Sequence, residues 1–491
     1  MRTTTKHTDK HSAKHSATPR RLPRQRRVTL LALLATATLL GGCASFSPDG
    51  GFGVVEQTAR DRLGKDLQWA RTPADQDRIA QRISALLAQP ISADDAVQVA
   101  LLNNRGLQAG FQELGITEAD LVKAGSLPNP GFSFGRFRRG DEVELERGIH
   151  LNLARLIALP MVRAAEARRF AQTQAMVAMQ MLALAADTRK AWISALAAEE
   201  SLRYARQVRQ AAEAGAELAR RMEQVGNFSK LQRAREQSFH ADASLALARA
   251  EQAQRASRER LTRLLGLWGG QTAFSLPARL PDLPADLADR PDIERVALAQ
   301  RLDVQGAKLA AEQTARQLGL TKTTRFINLL ELGAVRNSSN EAPTQRGWEI
   351  AIELPLFDGG GARIARAEAV YMQAVHRAAE TAINARSEVR EAYTAWRSAY
   401  DIARHHQDEI VPLRRQIAEE NLLRYNGMLI GVFELLADTR MQIGSVNAAI
   451  EARRDFWLAE ADLDMALIGK PSLTPAAGPA AAAGAGGADP H

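Results

Sequence analysis

The chain has little of what small secreted domains use for stability or enzymes use for chemistry. Cys43 is its only cysteine in 491 residues, which excludes an internal disulfide and a multi-thiolate metal site. No HExxH, methionine cluster or completed phosphate loop occurs, and "FDGGGAR" lacks the Lys-Ser/Thr that a P-loop needs. Asp358 with Gly359–Gly361 reads instead as a strand-to-helix turn. His405 and His406 are adjacent on a helical stretch, point about 100° apart and cannot share an ion, so they read as surface histidines. The apolar run Val28–Leu40 has thirteen residues, short of the roughly 20 that a membrane-crossing helix requires. The net charge of +8 also dissolves on inspection. Nine of the 64 Lys/Arg and one of the 56 Asp/Glu lie in residues 1–42, leaving 55 of each beyond them. A basic nucleic-acid surface is therefore excluded. No catalytic constellation and no metal site emerge, so the chain reads as a non-enzyme.

What is present begins at the front. A basic stretch ending "PRRLPRQRR" runs into the thirteen apolar residues, the layout of a signal peptide. Leu40-Gly41-Gly42-Cys43 then resembles the lipobox of bacterial lipoproteins. That resemblance implies removal of residues 1–42 and a covalent lipid on Cys43, diacylglycerol plus an acyl chain such as palmitate, as the only prosthetic group. Each buried CH₂ contributes about 0.8 kcal/mol, so several chains anchor stably. Ala44-Ser45 lacks the aspartate that retains such lipoproteins at the inner membrane, which implies the outer membrane.

Beyond the leader the chain divides into an acylated, irregular segment (43–90), two long units (91–270 and 291–470), a Pro-rich linker (271–290) and a low-complexity, disordered tail (471–491). The two units match in order. Each opens with a helical segment, Ser92–Ala124 and Asp292–Leu320. Each continues through two β-like runs, a long helix, a Gly-marked break and another long helix. "TRKAWISALAA" answers "VREAYTAWRSA", "VRAAEARRF" answers "IARAEAVYM", and the breaks are "VGNFS" (Val225–Ser229) and "NGMLIG" (Asn426–Gly431). Tyr204, Val208, Ala211, Gly215, Leu218, Met222 and Val225 recur at an average of 3.5 residues, a narrow stripe for a neighbouring helix. Met161–Val225 alone is about 100 Å of rod at 1.5 Å per residue, and Ala362–Tyr425 reads as another.

The β-like runs alternate strictly. Val143, Leu145, Ile149, Leu151 and Leu153 oppose Glu144, Glu146, His150 and Asn152, with Arg147 the exception on the apolar side. Trp348, Ile350, Ile352 and Leu354 oppose Glu349, Ala351 and Glu353. Such runs suit either a small sheet packed on helices or lipid-facing strands of about 9–11 residues. Phe132, Phe134, Trp348 and Phe357 could supply an aromatic girdle. In the lipid case Glu349 and Glu353 face water in a barrel lumen, where ordinary solvation accounts for them better than a substrate site does. Four strands cannot close a barrel alone, so several subunits must then contribute.

The motifs "SLPNPGFSFG" (Ser126–Gly135) and "ELPLFDGGGARIARAEA" (Glu353–Ala369), with the doubled helix–strand–strand–helix–helix order, resemble the TolC-type outer-membrane efflux factors. The resemblance covers about Ile91–Lys470. It implies a mainly α protein with transmembrane β: a homotrimer in which four strands per protomer form one barrel, continued by a long α-helical periplasmic barrel. It implies a passive duct for small molecules or metal ions in a tripartite efflux system. Its partners would be a periplasmic adaptor, an inner-membrane pump of resistance-nodulation-division type and outer-membrane lipid. The adaptor-contacting tips map to Val225, Gly226, Asn227, Ser229, Gly427 and Gly431, the glycines marking turns. Glu434 matches the family's acidic entrance gate and Asp438 lies one position off its second acid; a first-turn glutamate favoured by the helix dipole is the plainer account of Glu434. Lys230 or Gln232 stands where the first repeat would carry an acid. A type I protein-secretion outlet and a non-channel coiled-coil scaffold lipoprotein are the competing readings.

Cys43→Ser is expected to abolish incorporation of labelled fatty acid while leaving the folded protein intact. Loss of folding along with the label would contradict the separation of anchor from fold.

Overall fold

The computed structural model describes residues 45–326, 329–353 and 356–472. Cys43 and the tail from residue 473 lie outside the described residues. The chain folds into long antiparallel helices with one small sheet at their end. In order these are α1 (Phe52–Leu63), α2 (Pro73–Leu87), α3 (Ala93–Asn103), α4 (Arg105–Gly125), β1 (Gly131–Arg139), β2 (Glu142–Asn152), α5 (Leu153–Gln224) and α6 (Lys230–Leu265). The second unit supplies α7 (Ile293–Gln300), α8 (Leu302–Thr323), β3 (Leu330–Ser339), β4 (Gln345–Ile352), α9 (Gly361–His405), α10 (Val411–Asn426) and α11 (Val432–Ile468). The expected doubled order is present, with structure finer than the sequence patterns suggested.

Each opening segment, expected as one helix, is two. Asn104 and Arg301 take matching extended conformations (φ −64°, ψ 118° and φ −65°, ψ 124°) and break the helix at equivalent places. Each break turns an apolar residue three positions on, Leu107 or Val304, into the core. The described part of the segment 43–90, residues 45–90, is not irregular either. The Gly50-Gly51 turn leads into α1, and Thr72 starts α2 with a capping box to Asp75 and Pro73 in the first turn. Ile79 and Ile83 then bury one face of α2. Phe52 packs edge-on against Phe111 at 5.0 Å and Trp69 lies 6.3 Å from the same ring, which fastens this segment to α4.

Helix α5 runs 72 residues, about 110 Å at 1.5 Å per residue. The rod expected over Ala362–Tyr425 contains a π-turn at His406–Ile410. Pro412 explains it: the ring has no N–H to give and clashes with the carbonyl four residues earlier, and one extra residue in the turn relieves both. The stripe expected on α5 keeps its spacing but shifts phase. Ala212 and Ala219 are buried, whereas Ala211 and Leu218 are exposed.

The sheet is antiparallel throughout, in the order β1-β2-β3-β4, so the β2–β3 pair joins the two repeats and β1 and β4 are open edges. The apolar core lies along the helices instead. One cluster centres on Ile91, Trp192, Leu196 and Leu261, a second on Phe111, Met181 and Val55, and a third on Val389, Trp396 and Phe456.

Two buried cations pin segments distant in sequence, Lys190 between the repeats and Arg301 within the second. Lys190 on α5 donates to Asp462 on α11 at 2.7 Å and to both the hydroxyl and carbonyl of Ser472 at 2.8 and 2.6 Å. Pro471 and Ser472 are thereby part of the folded body, not of the disordered tail expected from 471. Arg301, 1% exposed, donates to Glu388 at 2.6 Å, to Asp303 at 2.7 and 3.0 Å and to the Ala466 carbonyl at 3.4 Å. Removing one member of such a buried network leaves an uncompensated charge. Arg301→Ala is expected to destabilise the fold by about 3–5 kcal/mol, read as a lower midpoint in thermal or denaturant unfolding. An unchanged midpoint would show that the network is dispensable.

Candidate functional site

The strand register defines two chemically different faces of the sheet. One carries cross-strand rows Leu151–Leu332–Ile350 and Phe132–Ile149–Ala334–Trp348, with Leu330 opposite Ile352. Most of these side chains stand in the open: Trp348 is 75% exposed and Phe132 69%. An apolar surface of this size on one side of a thin sheet marks contact with lipid or with another chain.

The other face is polar and crowded. His150 stands 2.9 Å from the Ser133 hydroxyl through Nε2 and 3.0 Å from Glu349 Oε1 through Nδ1. This bridge crosses from β1 to β4 over Gly333. A Cβ at Gly333 would come 2.7 Å from Glu349 Cγ, and one at Gly148 would come 2.5 Å from the Ser133 hydroxyl. The glycines make room where side chains converge, as on the concave side of a curved sheet. Glu142, Glu144, Glu146 and Glu331 share this face by register, so it is acidic as well as polar. Glu349 lies on this polar face, paired with His150. Glu353 follows β4 in the same alternation and its N–H donates to the Leu329 carbonyl at 3.3 Å.

The opposite ends of the long helices carry the two tips. At the first, Gly226 is left-handed (φ 82°) and the N–H groups of Asn227 and Phe228 donate to the Met222 carbonyl at 2.9 and 3.2 Å. Phe228 is buried beneath the turn, and Ser229 begins α6 with a capping box to Gln232. Val225 is exposed. At the second tip Gly427 lies in the turn, as expected, but is not the residue that takes the left-handed conformation. Gly427 takes φ −80° and Gly431 is an extended N-cap, whereas Met428 holds the left-handed conformation (φ 57°) with its side chain 93% exposed. The Schellman-like bond from the Leu429 N–H to the Arg424 carbonyl, 2.8 Å, fixes the helix end and forces that conformation on position 428. A long side chain there is strained, and such outliers gather at functional positions.

The two candidate gate acids part company. Asp438 is half-buried and accepts from the Asn421 side chain on α10, so it faces its own hairpin. Glu434 lies one turn nearer the tip and is exposed. Between the hairpins Arg440 donates to the buried Glu236 at 2.7 Å, joining α11 to α6. Of the two histidines, His405 is at the surface against Glu409 at 3.2 Å. His406 is half-buried, and burial, with His405 beside it, holds it below the ordinary imidazole range. Among the described residues no group of His, Cys, Asp or Glu could hold a metal ion, and no helix is long and apolar enough to cross a membrane.

This architecture has known counterparts. The outer membrane protein VceC of Vibrio cholerae superposes with a TM-score of 0.65, at 17% identity over 77% of this chain and 96% of that one. The open-state outer membrane channel MtrE of Neisseria gonorrhoeae gives 0.65, at 18% identity over 77% and 90%. The chain carries the TolC-type outer-membrane channel fold. In sequence it is 26% identical over 283 residues to the cobalt-zinc-cadmium resistance protein CzcC of Cupriavidus metallidurans, a match spanning 55% of this chain and 64% of CzcC. No protein-family model matches.

One feature of this channel fold escaped the sequence patterns. Arg147, the exception on the apolar side, lies opposite Arg336, which in turn lies opposite Arg346. The signal was available in "LELGAVRNSS", where Arg336 keeps phase with Leu330, Leu332 and Ala334.

Met428→Gly is expected to stabilise the second hairpin by about 1 kcal/mol by removing the left-handed strain, and Gly226→Ala to destabilise the first by a similar amount. Hydrogen exchange at the two tips measures both. Equal protection in variant and parent would contradict the backbone assignment.

Proposed function

We propose that this chain is the outer-membrane component of a tripartite efflux system, a passive duct that performs no chemistry. The observation that carries the reading is the sheet: four strands, two unpaired edges and one broad apolar face, mounted on long helices of which α5 alone spans about 110 Å. Three protomers would pair each β1 edge with the next β4 edge into a twelve-stranded barrel with the His150–Glu349 face inside. The helices would continue that duct into the periplasm. There the tips Val225–Ser229 and Gly427–Gly431 would meet a periplasmic adaptor served by an inner-membrane pump of the resistance-nodulation-division type. Glu434, exposed at the tip end of α11, is the better placed of the two gate candidates. The lipid on Cys43 would be its only covalent addition.

Divalent transition-metal ions are the proposed cargo, supported by the likeness to CzcC, itself a cobalt-zinc-cadmium resistance protein. The acidic lumen face suits cations. Deleting the gene is expected to lower tolerance to cobalt, zinc or cadmium, with restoration by the parent chain but not by one carrying Gly226→Pro. Lost tolerance to organic drugs alone would reassign the cargo. Unchanged tolerance to all of these would overturn the efflux reading.

A further inference from the structure

Arg147, Arg336 and Arg346 lie directly opposite one another on three adjacent strands, on the apolar face and not the polar one. Side chains so placed have Cβ atoms about 5 Å apart, and like charges in that arrangement repel. Among the described residues none of the three makes an ion pair, and the polar-face glutamates point the other way. Arg136 lies one row further toward the hairpin ends on the same face. A row of guanidinium groups without carboxylates calls for an anion from outside the chain.

Its height says which. The row stands two residues beyond the row of Phe132 and Trp348, about 7 Å along the strand and about 5 Å in height at the usual barrel tilt. Aromatic residues in membrane barrels sit at the lipid–water boundary, so a group slightly further out meets lipid headgroups. The hairpin ends lie away from the long helices, which puts the row in the outer leaflet.

We propose that Arg147, Arg336 and Arg346 form a binding site for the phosphate groups of a phosphorylated lipid of the outer leaflet. Guanidinium groups take phosphate oxygens in pairs, and the exposed Phe132 and Trp348 lie where the acyl chains of the same lipid begin. The site rests on the proposed membrane insertion of the sheet.

The test uses the full-length protein reconstituted in phosphatidylethanolamine vesicles doped with diphosphoryl lipid A or with its dephosphorylated form. Insertion is read by flotation, and lipid retained after mild detergent extraction by native mass spectrometry. The parent is expected to retain the diphosphoryl lipid about tenfold more than the dephosphorylated one. The triple variant Arg147→Gln/Arg336→Gln/Arg346→Gln should lose that preference while still floating. Millimolar inorganic phosphate should not displace the lipid. Equal retention by parent and variant, both inserted, would overturn the site alone, and so would displacement by inorganic phosphate. Failure of the parent to float would overturn the membrane reading and the site with it. If the triple variant does not insert, Arg336→Gln, the middle of the row, must by itself reduce retention, or the proposal falls.

Discussion

Two unpaired strand edges govern this structure. β1 and β4 each expose a row of backbone N–H and C=O groups, and the sheet between them shows a broad apolar face. In water those edges could be hydrated, but the apolar face would not be content there. In lipid the face is satisfied and the edges are not, because hydrocarbon offers backbone groups no partner. Only closure with further copies of the same sheet meets both demands. The other features can be read as means of presenting that sheet: the doubled repeat supplies strands in pairs, and β2–β3 pairing welds the halves into one unit.

The stability of each protomer resides elsewhere. Its apolar clusters lie along the helices, around Trp192, Phe111 and Trp396. Lys190–Asp462 and Arg301–Glu388 pin segments that are far apart in sequence. This separation leaves the sheet free to be exposed and the tips free to carry strain. Met428 tolerates a left-handed backbone because the helix-end bond from Leu429 holds it. Buried alanines on α5, Ala212 and Ala219, permit close packing of the long helices.

Much of this was legible in the chain because it depends on periodicity. Alternation in Val143–Asn152 and Trp348–Ile352 marked strands with unlike faces, and the 3.5-residue spacing after Tyr204 marked a helix seam. The "VGNFS" break announced a turn that Gly226 executes. What was not legible depends on phase, register or long-range packing. Ala211 and Ala212 are chemically identical, so only packing against neighbouring helices decides which is buried. The break at Asn104 has a local cause, since its side chain caps α4 by accepting from the Leu107 N–H, whereas Arg301 makes no such cap and its break goes with the burial of Val304 and of Arg301 itself. Local signals were also passed over: the Thr72-Pro73-Asp75 start of α2 and the Ser229–Gln232 box are readable in the sequence. No single-strand pattern could align Arg147 with Arg336 and Arg346, since pairing between the two repeats sets that register.

The central claim is that closure is supplied by identical copies. It is tested most directly by the mass of the protein extracted from membranes in mild detergent, determined by light scattering corrected for bound detergent. The account predicts three chains per particle, twelve strands in all. One chain per particle would leave β1 and β4 with no partner in lipid and would contradict it.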